Sequence, residues 1–177
     1  LGFGCMRLPL LADGSIDEPE SIRLIRDSID RGLNYVDTAY PYHGGKSELL
    51  VAKALKDGYR EKVFLATKCP VWNVKTPEDF DRLLNEQLAK LETDHIDMYM
   101  LHAVSGDRWQ ELQDLKAFDF LQKAKADGRI RYAGFSFHDN FTVFKEMIDA
   151  HDWDFCQIQY NYMDQTNQAG TEGLRYA

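Results

Sequence analysis

Residues 62–102 read KVFLATKCPVWNVKTPEDFDRLLNEQLAKLETDHIDMYMLH. The run Lys62–Lys68 has the length and the branched, apolar content of a buried strand. Thr76 is the expected N-cap of a helix, with Pro77 in its first turn and Glu78 and Asp79 at the positive end of its dipole. Phe80, Leu83, Leu84, Leu88 and Leu91 then recur at spacings of three and four, which draws one apolar stripe along that helix. Ile96–His102 is a second strand-like run. Strand, helix and strand within about forty residues make a βαβ unit, whose two strands lie parallel.

The same alternation extends in both directions. Strand-like runs occur at Leu1–Met6, Asn34–Ala39, Ile130–Phe137 and Asp154–Asn161. Between the first two, Ile22, Ile25, Ile29 and Leu33 share a helical face, with Pro19 near the start and Gly32 near the end. A second helix is expected from Ser47, carrying Leu50, Ala54 and Leu55 and stopping at Gly58. A single helix is expected over Trp109–Ala126, closed by Asp127-Gly128. Another, carrying Val143, Phe144, Met147 and Ile148, is expected with Asp139 or Asn140 as its cap, and a last one starts near Thr171–Ala177.

Repeated βαβ units leave two architectures, an open doubly wound sheet or a closed (β/α)₈ TIM barrel. A dinucleotide-binding open sheet carries GxGxxG after its first strand. Here the run is Gly2-Phe3-Gly4-Cys5-Met6-Arg7, without the third glycine, and no P-loop occurs. The expected fold class is therefore α/β, a (β/α)₈ TIM barrel. Such a barrel takes about 250 residues. The 177 residues are expected to be one domain covering about the first six βα units, cut short at the C-terminus and, since the chain opens on Leu1, slightly at the N-terminus.

Composition narrows the function. There are 21 Lys and Arg against 29 Asp and Glu, a net charge of −8, and no basic run to meet nucleic-acid phosphates. No apolar stretch nears the ~20 residues of a membrane helix. Three cysteines without CxxC spacing suit a reducing, cytoplasmic setting and no zinc site.

The working face of a parallel barrel lies at the C-terminal strand ends. Those positions carry Asp37, with Tyr42 and His43 following, then Lys68, His102, Ser136 and His138, and Gln157. A strand ending in a buried charge is costly unless the charge pairs, and Asp37 and Lys68 on neighbouring strands can pair. Tyr42 as proton donor, Lys68 as the cation that lowers its pKa, Asp37 as anchor of Lys68 and a neutral His102 as orienter form a set suited to carbonyl reduction. The set lacks only a hydride, which a cofactor supplies.

Asp37-Thr38-Ala39-x-x-Tyr42-x-Gly44, Ser47-Glu48, Thr67-Lys68, Ile96-Asp97-x-Tyr99-x-x-His102 and Gly128-x-Ile130-Arg131-x-x-Gly134-x-Ser136 together resemble the aldo-keto reductases. The resemblance implies a (β/α)₈ barrel reducing small-molecule aldehydes and ketones with a nicotinamide cofactor, NADP(H) in preference to NAD(H). It implies a catalytic tetrad at Asp37, Tyr42, Lys68 and His102. It puts the carboxamide grip on Ser136 and Gln157, and the backbone around Gly4, Cys5 and Met6 beside the nicotinamide. Many members carry Asn after the strand-five serine, where this chain has Phe137 and then His138. Residues 155–164 resemble a bacterial subgroup that often ends in a ferredoxin-like region, so a 4Fe-4S cluster is expected only beyond these residues.

Taken singly, each tetrad residue has an ordinary structural reading: a loop cap for Asp37, a snorkelling Lys68, a packed Tyr42, a core His102. Their joint placement on successive strand ends favours the site. His43 and His138 are candidate substrate contacts, His95 and His151 are expected at the surface, Asp97 is read as structural, and Cys69 as an inert buried thiol. The alternatives are a metal-dependent barrel hydrolase using Asp37, His43, His102 and His138, and a non-turnover cofactor-binding redox sensor.

Overall fold

A computed structural model describes residues 1–177. Six strands, β1 (Gly2–Gly4), β2 (Tyr35–Asp37), β3 (Phe64–Cys69), β4 (Ile96–Val104), β5 (Ile130–Phe137) and β6 (Phe155–Ile158), form one sheet in the order β1-β2-β3-β4-β5-β6. Every neighbouring pair is parallel. A doubly wound sheet reverses its strand order part-way, and this one never does.

The sheet also curls. In a flat sheet β2 and β6 would stand four spacings apart, about 19 Å. Instead, the Gln157 amide of β6 lies 3.5 Å from the Asp37 carboxylate of β2. The six units thus form an open arc of a TIM-barrel-like fold.

Seven helices follow the strands: α1 (Glu18–Asp30), α2 (Ser47–Ala54), α3 (Pro77–Leu91), α4 (Gly106–Asp114), α5 (Ala117–Ala126), α6 (Phe141–Ala150) and α7 (Gly170–Tyr176). No helix is long and apolar enough to cross a membrane. Pro19 lies in the first turn of α1 as expected, and Asp17, which the sequence reading did not single out, caps that helix by accepting from the Glu20 amide at 3.1 Å. The Asp79 side chain accepts from the Thr76 and Lys75 amides at the start of α3. Asn140, rather than Asp139, caps α6 through the Thr142 and Val143 amides. The α3 stripe of Phe80, Leu83, Leu84 and Leu91 is buried, in a continuous core with Leu65, Tyr99, Leu101 and Phe135 of the strands. Gly134 allows the close approach of β5 and β6, since a Cβ there would meet the Phe155 carbonyl oxygen at 2.4 Å.

Three expectations are corrected. The single helix over Trp109–Ala126 is two helices, broken at Leu115-Lys116, where Lys116 has φ 56°. The buried series Trp109, Leu112, Ala117, Phe120, Leu121 steps by five at Leu112, one residue too many for a continuous stripe, and the left-handed Lys116 absorbs the excess. Strand one ends early because Cys5–Arg7 tightens into a 3₁₀ turn. His151 is not a free surface residue. It stacks on Phe118 at 4.1 Å and meets Trp109 and Trp153 edge-on.

Asp97, at the N-terminal end of β4, anchors the opposite end of the sheet. Its buried carboxylate accepts from the Leu65 amide at 2.9 Å and pairs with Arg60 at 2.8 Å and Arg131 at 3.0 Å. Burial would raise its pKa, but the amide and the two guanidinium groups outweigh burial and hold it below the ordinary carboxylate value. Asp97→Ala leaves these donors without their acceptor. Denaturant unfolding of the complete natural protein should show a loss of about 3 kcal/mol, the lower end for breaking a buried pair, because the half-exposed Arg131 can return to water. Since the folded pKa is depressed, this contribution holds above the unfolded value near 4 and fades as pH falls through the folded one. An unchanged unfolding midpoint contradicts the assignment.

Candidate active site

The loop after β2 is unusual backbone. Tyr42–Gly45 is a 3₁₀ turn in which His43, Gly44 and Gly45 all have positive φ (52°, 63° and 86°). The two glycines take that region freely, and His43 is tied down by accepting the Leu8 amide on its Nε2 at 3.2 Å. The turn folds the Tyr42 ring back over the strand ends, half-buried, with the Lys68 ammonium 4.9 Å from its centroid.

Lys68 is almost sealed, its side chain 3% exposed. Its Nζ donates to Asp37 Oδ1 at 2.7 Å, Asp37 Oδ2 at 2.9 Å and the Thr38 carbonyl at 2.8 Å, which uses all three protons. Burial draws this ammonium below the ordinary lysine value, while Asp37 opposes the shift.

His102, on β4, is buried. Its ring meets Tyr42 edge-on at 5.9 Å and Trp72 at 5.1 Å, and its Nδ1 has no hydrogen-bond partner. Burial first, then Lys68, then His138, push its pKa down to about 4, so the imidazole is neutral at physiological pH.

The structure corrects one part of the expected chemistry. Lys68 was to bring the Tyr42 pKa below its ordinary value, and its cation does not outweigh the opposing causes. Instead burial, then the Asp37 charge, then Cys5, push the phenol up to about 12. The ammonium lies 4.9 Å from the ring centroid, and its protons are committed to Asp37 and Thr38.

Of the remaining expected residues, Met6, Ser136, His138 and Gln157 line one cavity of about 250 Å³ with Asp37, Tyr42, Lys68 and His102, and Gly4 and Cys5 do not line it. Ser136 Oγ accepts the Ala103 amide at 2.7 Å, and its own proton has only the distant Leu101 carbonyl at 3.5 Å. Gly4 and Met6 are exposed, and a Cβ on Gly4 would meet nothing within 4 Å. Cys5 is fully buried: its carbonyl accepts from Ser47, and burial, then Asp37, push its thiol up to about 12. Cys5 therefore offers the cavity no side chain. Cys69 is buried too, and burial pushes it up to about 12. His138 lies on the rim with its Nδ1 3.2 Å from Gln168 Oε1.

His43, expected on the active face, spends its Nε2 on the Leu8 amide. The four side chains considered for a metal do not converge on one point. Trp72 was not foreseen. Its only signal is an aromatic residue three positions past the end of β3, in a loop on the working face.

Comparison with known proteins places the chain in a family. The model of the "Aldo/keto reductase family" matches residues 1–175. The chain is 38% identical over 162 residues to aldo-keto reductase YhdN of Bacillus subtilis, covering 85% of this chain and 45% of that protein. It is 29% identical over 174 residues to the NADH-specific methylglyoxal reductase of Escherichia coli, covering 86% of this chain and 51% of that protein. Among solved structures it resembles aldo-keto reductase AKR11C1 of Bacillus halodurans in its holo form, with TM-score 0.77 and 31% identity over 93% of this chain and 54% of the other. It also resembles a Klebsiella pneumoniae aldo-keto reductase in complex with NADPH, with TM-score 0.76 and 26% identity over 93% and 55%. The chain spans about half the length of these curated relatives.

The His102 environment yields a direct check. In the complete natural protein without cofactor, NMR titration of the His102 ring should give a midpoint near 4. Lys68→Met removes the second of the causes that depress it and should move the midpoint upward. A midpoint near the ordinary histidine value of about 6.5 contradicts the burial and neighbour account.

Proposed function

The chain belongs to the aldo/keto reductase family, and from that premise we propose that the protein reduces a small aldehyde or ketone to the alcohol with NADP(H). The single observation carrying the reading is the convergence of Tyr42, the Lys68–Asp37 pair and a neutral His102 on one cavity.

The residues present fit the nicotinamide end of such a cofactor. The Ser136 proton and the Gln157 amide face the cavity as donors to a carboxamide, and Gly4 and Met6 leave an open approach beside them. Bound there, the reduced nicotinamide supplies the hydride that adds to the carbonyl carbon. The relative in complex with NADPH supports NADP(H), and the relative named NADH-specific makes NAD(H) the comparison to run.

In this reading His102 donates a hydrogen bond to the carbonyl oxygen from a neutral ring, which orients the substrate without giving up a charge-bearing proton. Tyr42 then protonates the alkoxide. A phenol near 12 is fully protonated at neutral pH, and an alkoxide is the stronger base, so the transfer runs downhill. Lys68 lies over the ring face and steadies the phenolate left behind. Asp37 keeps that ammonium in place. The reverse reaction needs the phenolate first and therefore favours high pH.

The arc of six units is read as the front of an eight-unit barrel, with residues 1–177 as its domain here. Three unpaired thiols suit the reducing cytoplasm.

Two substitutions in the complete natural protein test the roles. Tyr42→Phe removes the proton donor without leaving a cavity. Its kcat should fall on the order of 10²–10⁴-fold while cofactor affinity stays near wild type, and wild-type turnover contradicts the assignment. Lys68→Met removes the cation beside the ring. The alkaline limb of the pH–rate profile for alcohol oxidation should move to higher pH, because the phenolate is then less favoured. An unmoved limb means that Lys68 serves only to pair with Asp37.

A further inference from the structure

Directly behind Lys68, on the helix side of β3, lies a sealed cluster of polar side chains: Glu48 of α2, Thr67 of β3, Gln87 of α3 and Tyr99 of β4. All four are 0% exposed. The layer between helices and sheet is ordinarily apolar, and buried charged groups with their partners are often no more stabilising than well-packed apolar residues of similar volume. Stability alone therefore does not account for the cluster.

Its hydrogen bonds have a direction. The Tyr99 hydroxyl donates to Gln87 Oε1 at 2.8 Å, which fixes which end of the amide is which. Gln87 Nε2 then donates to Glu48 Oε1 at 2.6 Å and to the Lys68 main-chain carbonyl at 3.0 Å, with Thr67 Oγ1 a longer contact at 3.3 Å. The Thr67 hydroxyl also donates to Glu48 Oε1, at 2.8 Å. Of these bonds, one leaves the side chains for the main chain, and it goes to Lys68.

Lys68 is thereby gripped from both sides of its strand. Inside the arc its ammonium is held by Asp37 and Thr38, and outside it the carbonyl of the same residue is held by Gln87. The position needs that second grip. β3 ends one residue later at Cys69, and the Pro70 that follows has no N–H to extend the pairing.

We propose that Gln87, oriented by Tyr99 and backed by Glu48 and Thr67, is a positioning residue that fixes the height of Lys68 beneath the Tyr42 ring. The assignment rests on the reductase reading of the site. The charged and titratable groups facing Lys68 are Asp37 from β2, Cys5 and Tyr42 from the flanking turns, Glu48 from α2 and His102 from β4. Gln87 itself carries no charge, so its loss acts on placement. A displaced Lys68 supports the Tyr42 phenolate less, and errors of an ångström in such a group cost about a hundredfold in rate.

The test is Gln87→Met in the complete natural protein, which keeps the volume and removes every hydrogen bond. The expected result is a fall in kcat on the order of ten- to a hundredfold, with KM and cofactor affinity unchanged. The alkaline limb for alcohol oxidation should also move to higher pH. A lowered melting temperature with wild-type kcat and an unmoved limb overturns the assignment, since a merely structural cluster would change only stability. Should Gln87→Met not fold, Tyr99→Phe removes only the hydroxyl that orients the amide. It should lower kcat severalfold and move the limb the same way, and no change in either overturns the proposal. Tyr42→Phe assayed alongside separates the two claims. If Tyr42→Phe is inactive while Gln87→Met behaves as wild type, only the positioning role falls. If Tyr42→Phe keeps full turnover, the reductase reading falls and takes this one with it.

Discussion

The ion pair between Lys68 and Asp37 is the constraint around which the working face is arranged. Both side chains are nearly sealed from water, 3% and 13% exposed, and an isolated charge in that setting costs several kcal/mol. The pair is tolerable because every ammonium proton has an acceptor, two of them on Asp37 and one on the Thr38 carbonyl. That requirement fixes the spacing of β2 and β3 at their C-terminal ends and the path of the chain just after Asp37. The Tyr42 turn follows directly, and the cation against its ring lies where that path puts it.

From this pair the electrostatics of the neighbours follow. Burial first, and the ammonium second, keep His102 from becoming a second cation, so its ring stays neutral. Burial first, and the Asp37 carboxylate second, raise the Tyr42 phenol, which stays protonated at neutral pH. Two groups with pKa values driven apart by burial and by this ion pair suit the proton donor and the neutral orienter of the proposed reaction. The opposite end of the sheet uses the same physics for another purpose. There Asp97 collects two arginines and a backbone amide, at the edge of a wider cavity of about 500 Å³ that Glu61, Glu92, Asp94 and His95 also line.

Much of the fold was legible because it rests on local rules. The alternation of apolar runs and helical stripes gave the six strands, and the Thr76 and Asn140 capping positions gave helix starts within a residue. The strand ends carrying Asp37, Lys68 and His102 were legible because a charge closing an apolar run stands out. What was not legible depends on non-local geometry. The break at Lys116 is a change of register that only packing against two neighbours enforces. The aromatic stack of His151 on Phe118 joins residues far apart in the chain. The direction of the Tyr42 shift turns first on how deeply the fold buries the phenol and then on the charge of Asp37 beside it. Trp72 and Gln87 read as an ordinary loop aromatic and an ordinary helix residue until the fold brings them to His102 and Lys68.

The central claim is that the Lys68–Asp37 pair makes this cavity a site of hydride addition to a carbonyl. The most direct measurement is the transfer of label from NADPH doubly deuterated at C4 to a small aldehyde, followed by mass spectrometry of the alcohol. It compares the complete natural protein with its Asp37→Asn variant. The account predicts one deuterium in the alcohol formed by the natural protein, and a rate of labelling lower by on the order of a hundredfold in the variant, where the ammonium loses its charged partner. An alcohol formed without deuterium, or equal rates of labelling in the two proteins, contradicts it.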